Sequence, residues 1–164
     1  MIVMNKRYLY FIGFLICTAL LAIVYYLQYV KNIHPCLLCI VQRAAYFMLA
    51  IICLIATLHN PRKTGQRIYA ILLILASLFG GNFALRQLIL QHLPPGSVPS
   101  CAPSINFMLH NFPLNKTLQT LFYGSGDCAL IHWKFFGLSL AWWSLFFFIF
   151  FFIASLILLF KKIK

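Results

Sequence analysis

In the stretch HPCLLCIVQRAAYF, residues 34–47, two thiols stand three residues apart and an arginine follows four residues after the second. A bridge across two intervening residues removes little chain entropy, so stability is a poor reason to place one there. Thiol–disulfide chemistry is a better reason. The amide groups and dipole at a helix N-terminus favour a thiolate, and C-x-x-C thiols ionise more readily than free cysteine. Pro35 suits the start of such a helix because it needs no backbone donor. Cys36, Cys39 and Arg43 share one face of an α-helix, which puts Arg43 roughly 10 Å below the helix start. There it either snorkels toward the headgroups or presents a cation to a thiolate or an anionic cofactor. Gln42 beside it can add a hydrogen bond, although it points in another direction around the helix.

Two other uses of a C-x-x-C pair fit less well. A c-type haem site needs histidine after the second cysteine, and Ile40 stands there. A zinc site would draw on Cys101 and Cys128, whose spacing is not the compact one such sites use. Asp127 is the single acidic residue, so paired-carboxylate chemistry has no support.

The elements that position these residues are membrane helices. The chain has 164 residues, 63% of them hydrophobic, with thirteen Lys and Arg. Four apolar runs, at about 8–30, 37–58, 68–90 and 135–160, are each long enough to cross about 30 Å of hydrocarbon as a helix. Backbone polar groups cannot be left open in lipid, and the alternation of a membrane barrel is absent. The expected fold is an all-α membrane protein, a four-helix transmembrane bundle in a single domain over residues 1–164. The first run is too long for a cleaved signal, and no small-residue cleavage site follows it.

Basic residues set the expected orientation. Lys6 and Arg7, then Arg62, Lys63 and Arg67, then Lys161, Lys162 and Lys164 fall on one side, which the positive-inside rule makes cytoplasmic. Lys31, Lys116 and Lys134 are spread over the loops at about 31–36 and 91–134 on the outer side. The net charge of +12 therefore calls for no nucleic acid. Cys17 and Cys53 lie inside spans and read as small hydrophobes. Cys36, Cys39, Cys101 and Cys128 all fall at or beyond the outer face, where in a bacterium disulfides persist. Four cysteines admit three pairings; the local one joins Cys36 to Cys39 and leaves Cys101 with Cys128. Arg86, near the outer end of the third span, reads as a snorkelling residue. His34, His92, His110 and His132 have no spacing that demands a metal.

The long outer loop begins with LPPGSVPSCAPS, which is irregular by composition and carries Cys101. Phe107, Met108, Leu118, Leu121 and Phe122 then suggest short helices lying on the membrane surface. GSGDC turns sharply before Cys128.

Taken together, P-C-L-L-C-x-x-Q-R at the start of the second span, R-Q-x-x-L-Q-H-L-P at the end of the third, the outer-loop cysteine, G-S-G-D-C and W-x-F-x-G-L-S resemble the DsbB family of bacterial disulfide bond formation proteins. The likeness runs over nearly the whole chain; Ile89 and Ala141-Trp142-Trp143 depart from the usual pattern. It implies a quinone-dependent protein disulfide oxidoreductase of the inner membrane, with both termini cytoplasmic and the outer loops periplasmic. It further implies that a DsbA-like thioredoxin-fold oxidase delivers electrons to Cys101–Cys128, with Cys101 taking the mixed disulfide. They would pass to Cys36–Cys39 and on to ubiquinone or menaquinone beside Arg43, with Gln42 nearby. A membrane protein with two passive disulfides is the competing reading.

Overall fold

A computed structural model describes residues 6–32, 35–93, 126–130 and 134–160, with positions 113, 115, 122 and 124. Four long helices dominate it: α1 (Lys6–Val30), α2 (Leu37–His59), α3 (Lys63–His92) and α4 (Leu140–Phe160). All four are long and apolar enough to span a membrane, as expected of a multi-pass membrane protein. The surface-lying helices expected around Phe107, Met108, Leu118 and Leu121 fall outside the described residues.

The helix ends are local events. α2 stops where Asn60 turns left-handed, with φ 44°, and donates its N–H to the Ala56 carbonyl just ahead of Pro61. α3 extends past the expected span at both ends, and its 30 residues rise about 45 Å. α4 begins at Leu140, five residues later than the apolar run suggested, because residues 134–139 form a hairpin. Its strands β1 (Lys134–Phe135) and β2 (Leu138–Ser139) are antiparallel, pairing Lys134 with Ser139 and Phe135 with Leu138. The turn between them, Phe136-Gly137, has positive φ at both residues, 52° and 78°, the conformation that matches strand twist in a two-residue hairpin.

In the bundle α1 packs on α2, α2 on α3, and α3 on α4. The seams are lined by small residues: Ala45, Ala50, Ala56, Ala70, Ala76 and Ala84 are all buried. Small side chains let helix backbones approach closely where lipid gives no hydrophobic drive toward association. At the tightest point a Cβ on Gly80 would stand 2.2 Å from the Phe148 ring and 2.9 Å from Ala45. Phe148 is thereby wedged among α2, α3 and α4, stacked on Tyr46 with centroids 4.4 Å apart. Cys17 and Cys53 are buried in this core, as small hydrophobes would be. Ile55, Ile71, Leu75, Phe150 and Ile157 point outward, as a lipid-facing surface requires.

Several polar side chains inside the spans find partners on the backbone. Thr18, Thr57 and Ser155 return their hydroxyls to the carbonyls four residues back, and Gln66 Nε2 donates to the Leu158 carbonyl at 2.7 Å. Of these, the Gln66 bond ties α3 to α4 at the end of the bundle away from Cys36 and Cys39.

Candidate functional site

Cys36 is the N-cap of α2 and Cys39 its third residue. The cap backbone is extended, with φ −71° and ψ 167°, and Cys36 Sγ accepts the Cys39 N–H at 3.4 Å. A sulfur thus takes the place of the usual serine or aspartate oxygen at a helix N-terminus, where negative charge is favoured. The two sulfurs stand 2.7 Å apart. Side chains three apart at a helix start converge in this way without help from the rest of the fold.

Cys128 arrives from far away in sequence. It ends a short 3₁₀ turn, Gly126–Cys128, whose chain is pinned by the Ala129 N–H on the Gly126 carbonyl. Gly124 leads into that turn with φ 78°, and a Cβ there would lie 2.5 Å from Leu90 and 3.1 Å from Leu38. The loop therefore sits directly on α2 and α3. Cys128 is 0% exposed, in one cluster with Cys36, Leu37, Leu38, Phe83 and Leu90 and with Cys39 against its edge. Hydrogen bonding between Cys36 and Cys128, then with Cys39, then burial, holds the Cys36 thiol well above the ordinary thiol range. Cys101 lies outside the described residues.

Arg43 is one turn below Cys39 and half-buried. Its Nη1 donates to Gln28 Oε1 of α1, and its guanidinium carbon lies 5.2 Å from the centroid of the Tyr25 ring. Its Nε is buried and has no partner among the described residues. A buried N–H of a permanent cation, left open near a thiol pair, is a ready donor for an anionic or carbonyl oxygen. Gln42, buried, points to α3 instead and donates to Gln87 Oε1 at 2.8 Å. Gln87 in turn directs its Nε2 to Cys39 Sγ at 3.3 Å and to Cys36 Sγ at 3.6 Å. Arg86 is half-buried and lines a shallow groove with Phe79, Asn82, Phe83 and Phe122 on the other flank of α3.

Comparison with known proteins places the whole chain. The family model for disulfide bond formation protein DsbB matches residues 6–158. The chain belongs to the DsbB family. Among the relatives of this DsbB family member, the disulfide bond formation protein B of Azoarcus sp. is 46% identical over 156 residues, covering 95% of this chain and 93% of its own. Those of Nitrosococcus oceani and Hahella chejuensis are 44% and 43% identical over 142 residues, each covering 87% of this chain and 84% and 86% of their own. Membership in the DsbB family implies a thiol oxidoreductase.

For a DsbB family chain, Cys36, Cys39 and Arg43 are the residues whose spacing is local; the two sulfurs meet at 2.7 Å, while Arg43, one turn below, contacts Gln28 and Tyr25. Gln87, Gln28 and Tyr25 also reach this site, and no helical spacing to the cysteine pair marks them in the sequence. Two of these were open to a sharper reading: a glutamine inside an apolar span has to find a partner.

Proposed function

We propose that this protein reoxidises a DsbA-like periplasmic thioredoxin-fold oxidase and passes the electrons to a membrane quinone, ubiquinone or menaquinone, so sustaining disulfide bond formation. In this reading the cysteine end of the bundle faces the periplasm, both termini are cytoplasmic, and the membrane is the bacterial inner membrane. The observation that carries it is the burial of Cys128 in one cluster with Cys36, which itself stands 2.7 Å from Cys39.

The steps follow from thiol–disulfide exchange. A thiolate of the reduced donor attacks the Cys101–Cys128 disulfide at Cys101, and Cys128 leaves as the thiolate. Cys128 then attacks Cys36, the sulfur it is buried against; the Cys36–Cys39 bond breaks and its electron pair leaves on Cys39. The second donor thiol attacks the mixed disulfide, so the donor departs oxidised and Cys101 leaves as the thiolate; Cys101 then attacks Cys128 of the Cys36–Cys128 bond, which re-forms Cys101–Cys128 and leaves Cys36 and Cys39 as a dithiol. Cys36 is the sulfur of the pair that Cys128 is packed with, which makes it the one within reach of attack.

The residues present fit a quinone. Arg43 would hold it, using the buried Nε that has no partner among the described residues, while Gln28 and Tyr25 keep the guanidinium in place. Gln42 supports the same site through Gln87. When bound, the quinone supplies a two-electron acceptor that the dithiol can reduce. Arg43 offers fixed positive charge close to where negative charge collects on Cys39.

The test is purified protein carrying quinone, mixed with a reduced DsbA-like donor, with quinone absorbance followed in time. Wild type is expected to reduce quinone, Cys36→Ala and Cys101→Ala to fail, and Arg43→Ala to be slow. If wild type leaves the quinone oxidised with several donors and both quinone classes, the two disulfides are passive and the relay is wrong.

A further inference from the structure

Gln87 is only 5% exposed within an apolar helix, and both ends of its carboxamide are engaged. Gln42 Nε2 occupies its oxygen at 2.8 Å. That bond decides which way the amide faces: its NH2 stands 3.3 Å from Cys39 and 3.6 Å from Cys36, and its oxygen, farther off, accepts from the Cys39 thiol at 3.7 Å. An N–H is a weak partner for a neutral thiol or a disulfide sulfur. It is a much better partner for a thiolate, because hydrogen bonds to ionised acceptors are roughly twice as strong. The contact therefore strengthens as charge develops on sulfur, which is the condition for lowering a barrier rather than merely binding. A neutral amide does this without burying a second cation beside Arg43.

We propose that Gln87 is a catalytic residue of the dithiol pair, holding charge on Cys39 and so making Cys39 the sulfur that leaves when Cys128 attacks Cys36, with Gln42 as its positioning residue. Cys39 is the nearer of the two sulfurs. It is also the nearer to Arg43 along the helix, one turn away rather than two, whereas Cys36 is packed against Cys128. In the step, a bond forms between Cys128 and Cys36 as the Cys36–Cys39 bond breaks; the electron pair stays on Cys39, and no outside oxidant enters. The assignment of a leaving sulfur rests on the relay proposed above, while the stabilised thiolate does not.

The experiment uses the full-length protein in detergent, fully reduced and treated with iodoacetamide at neutral pH. Cys39 modification is followed by tandem mass spectrometry, and thiolate ultraviolet absorbance is read on the same samples. Gln87→Met keeps the shape and removes the donor. It is expected to slow Cys39 alkylation roughly tenfold, the worth of one hydrogen bond to a charged group, and to lower the thiolate absorbance. Gln87→His, which restores an N–H, should recover most of the rate, and Gln42→Met should slow it by roughly threefold. Equal Cys39 rates in wild type and a folded Gln87→Met overturn the proposal. If Gln87→Met does not fold, an unchanged rate in Gln42→Met overturns it instead. No donor or quinone is present, so a failed quinone assay with an intact alkylation difference removes the relay and leaves the stabilised thiolate standing.

Discussion

Arg43 and Tyr25 face each other across the α1–α2 seam, with the guanidinium carbon 5.2 Å from the ring centroid. This contact and the bond to Gln28 aim the cation, and they use the planar fork that lysine lacks. Arg43→Ala is expected to slow quinone reduction by roughly a hundredfold, the usual loss when one charge-stabilising donor is removed. Arg43→Lys should fall between, and Tyr25→Leu, which forfeits about 1 kcal/mol of cation–π attraction, should cost severalfold. Quinone absorbance at saturating donor reads all three. An unaltered rate in Arg43→Ala takes Arg43 out of the oxidant site.

Gly124 lets the loop lie on Leu90 and Leu38. Gly124→Ala adds a methyl 2.5 Å from Leu90 and strains a backbone at φ 78°, a cost of about 1–2 kcal/mol. The turn carrying Cys128 should lift from Cys36. Mild oxidation of the reduced protein is expected to give several times less Cys36–Cys128 bridge, with Cys36–Cys39 bridging unchanged. Mass mapping of disulfides measures both.

Gly80 is the tightest contact in the bundle. Gly80→Val drives side-chain atoms into the Phe148 ring, which has no slack because it is stacked on Tyr46. Overpacking of this kind costs about 1–3 kcal/mol. Thermal unfolding in detergent micelles should show a lowered midpoint, whereas Leu75→Val on the lipid face should leave it nearly unmoved.

Cys36 titrates above an ordinary thiol because hydrogen bonding with Cys128 and Cys39, and then burial, favour the protonated form. In the reduced protein its alkylation should therefore be slow at neutral pH and should rise only at pH values above the free-thiol range near 8.5. Cys128→Ala removes the largest of those causes and should move the rise to lower pH. A Cys36 profile that matches a free thiol in the intact protein contradicts this assignment.

The spans were legible in the sequence because lipid imposes one solution on an apolar run of that length, and α1 and α2 have nearly the expected bounds. The start of α4 was not legible, because Phe135 to Ser139 read as the beginning of the apolar run and only the positive-φ pair Phe136-Gly137 separates them from the helix. Cys36, Cys39 and Arg43 could be read because their relation is helical spacing. The meeting of Cys128 with Cys36 depends on how a distant loop lands on Leu38 and Leu90, and no spacing encodes that. Gln87 stood in plain view within a motif, but its task depends on the crossing of α2 and α3, which brings Gln42 within 2.8 Å.

Helix partners in this bundle are neighbours in the chain: α1 lies on α2 and α3 on α4, with α2 and α3 closing the middle. A membrane protein built this way can be inserted as two successive hairpins, each stable across the bilayer before they meet. The dithiol enters with the first hairpin, while Gln87 comes with the second and Cys128 hangs from the loop inside it. A nascent chain that has inserted only α1 and α2 therefore carries both thiols but neither the amide that faces them nor the cysteine packed against them. Maturation of the thiol centre is coupled to completion of the bundle, and a half-made chain does not yet carry an assembled one.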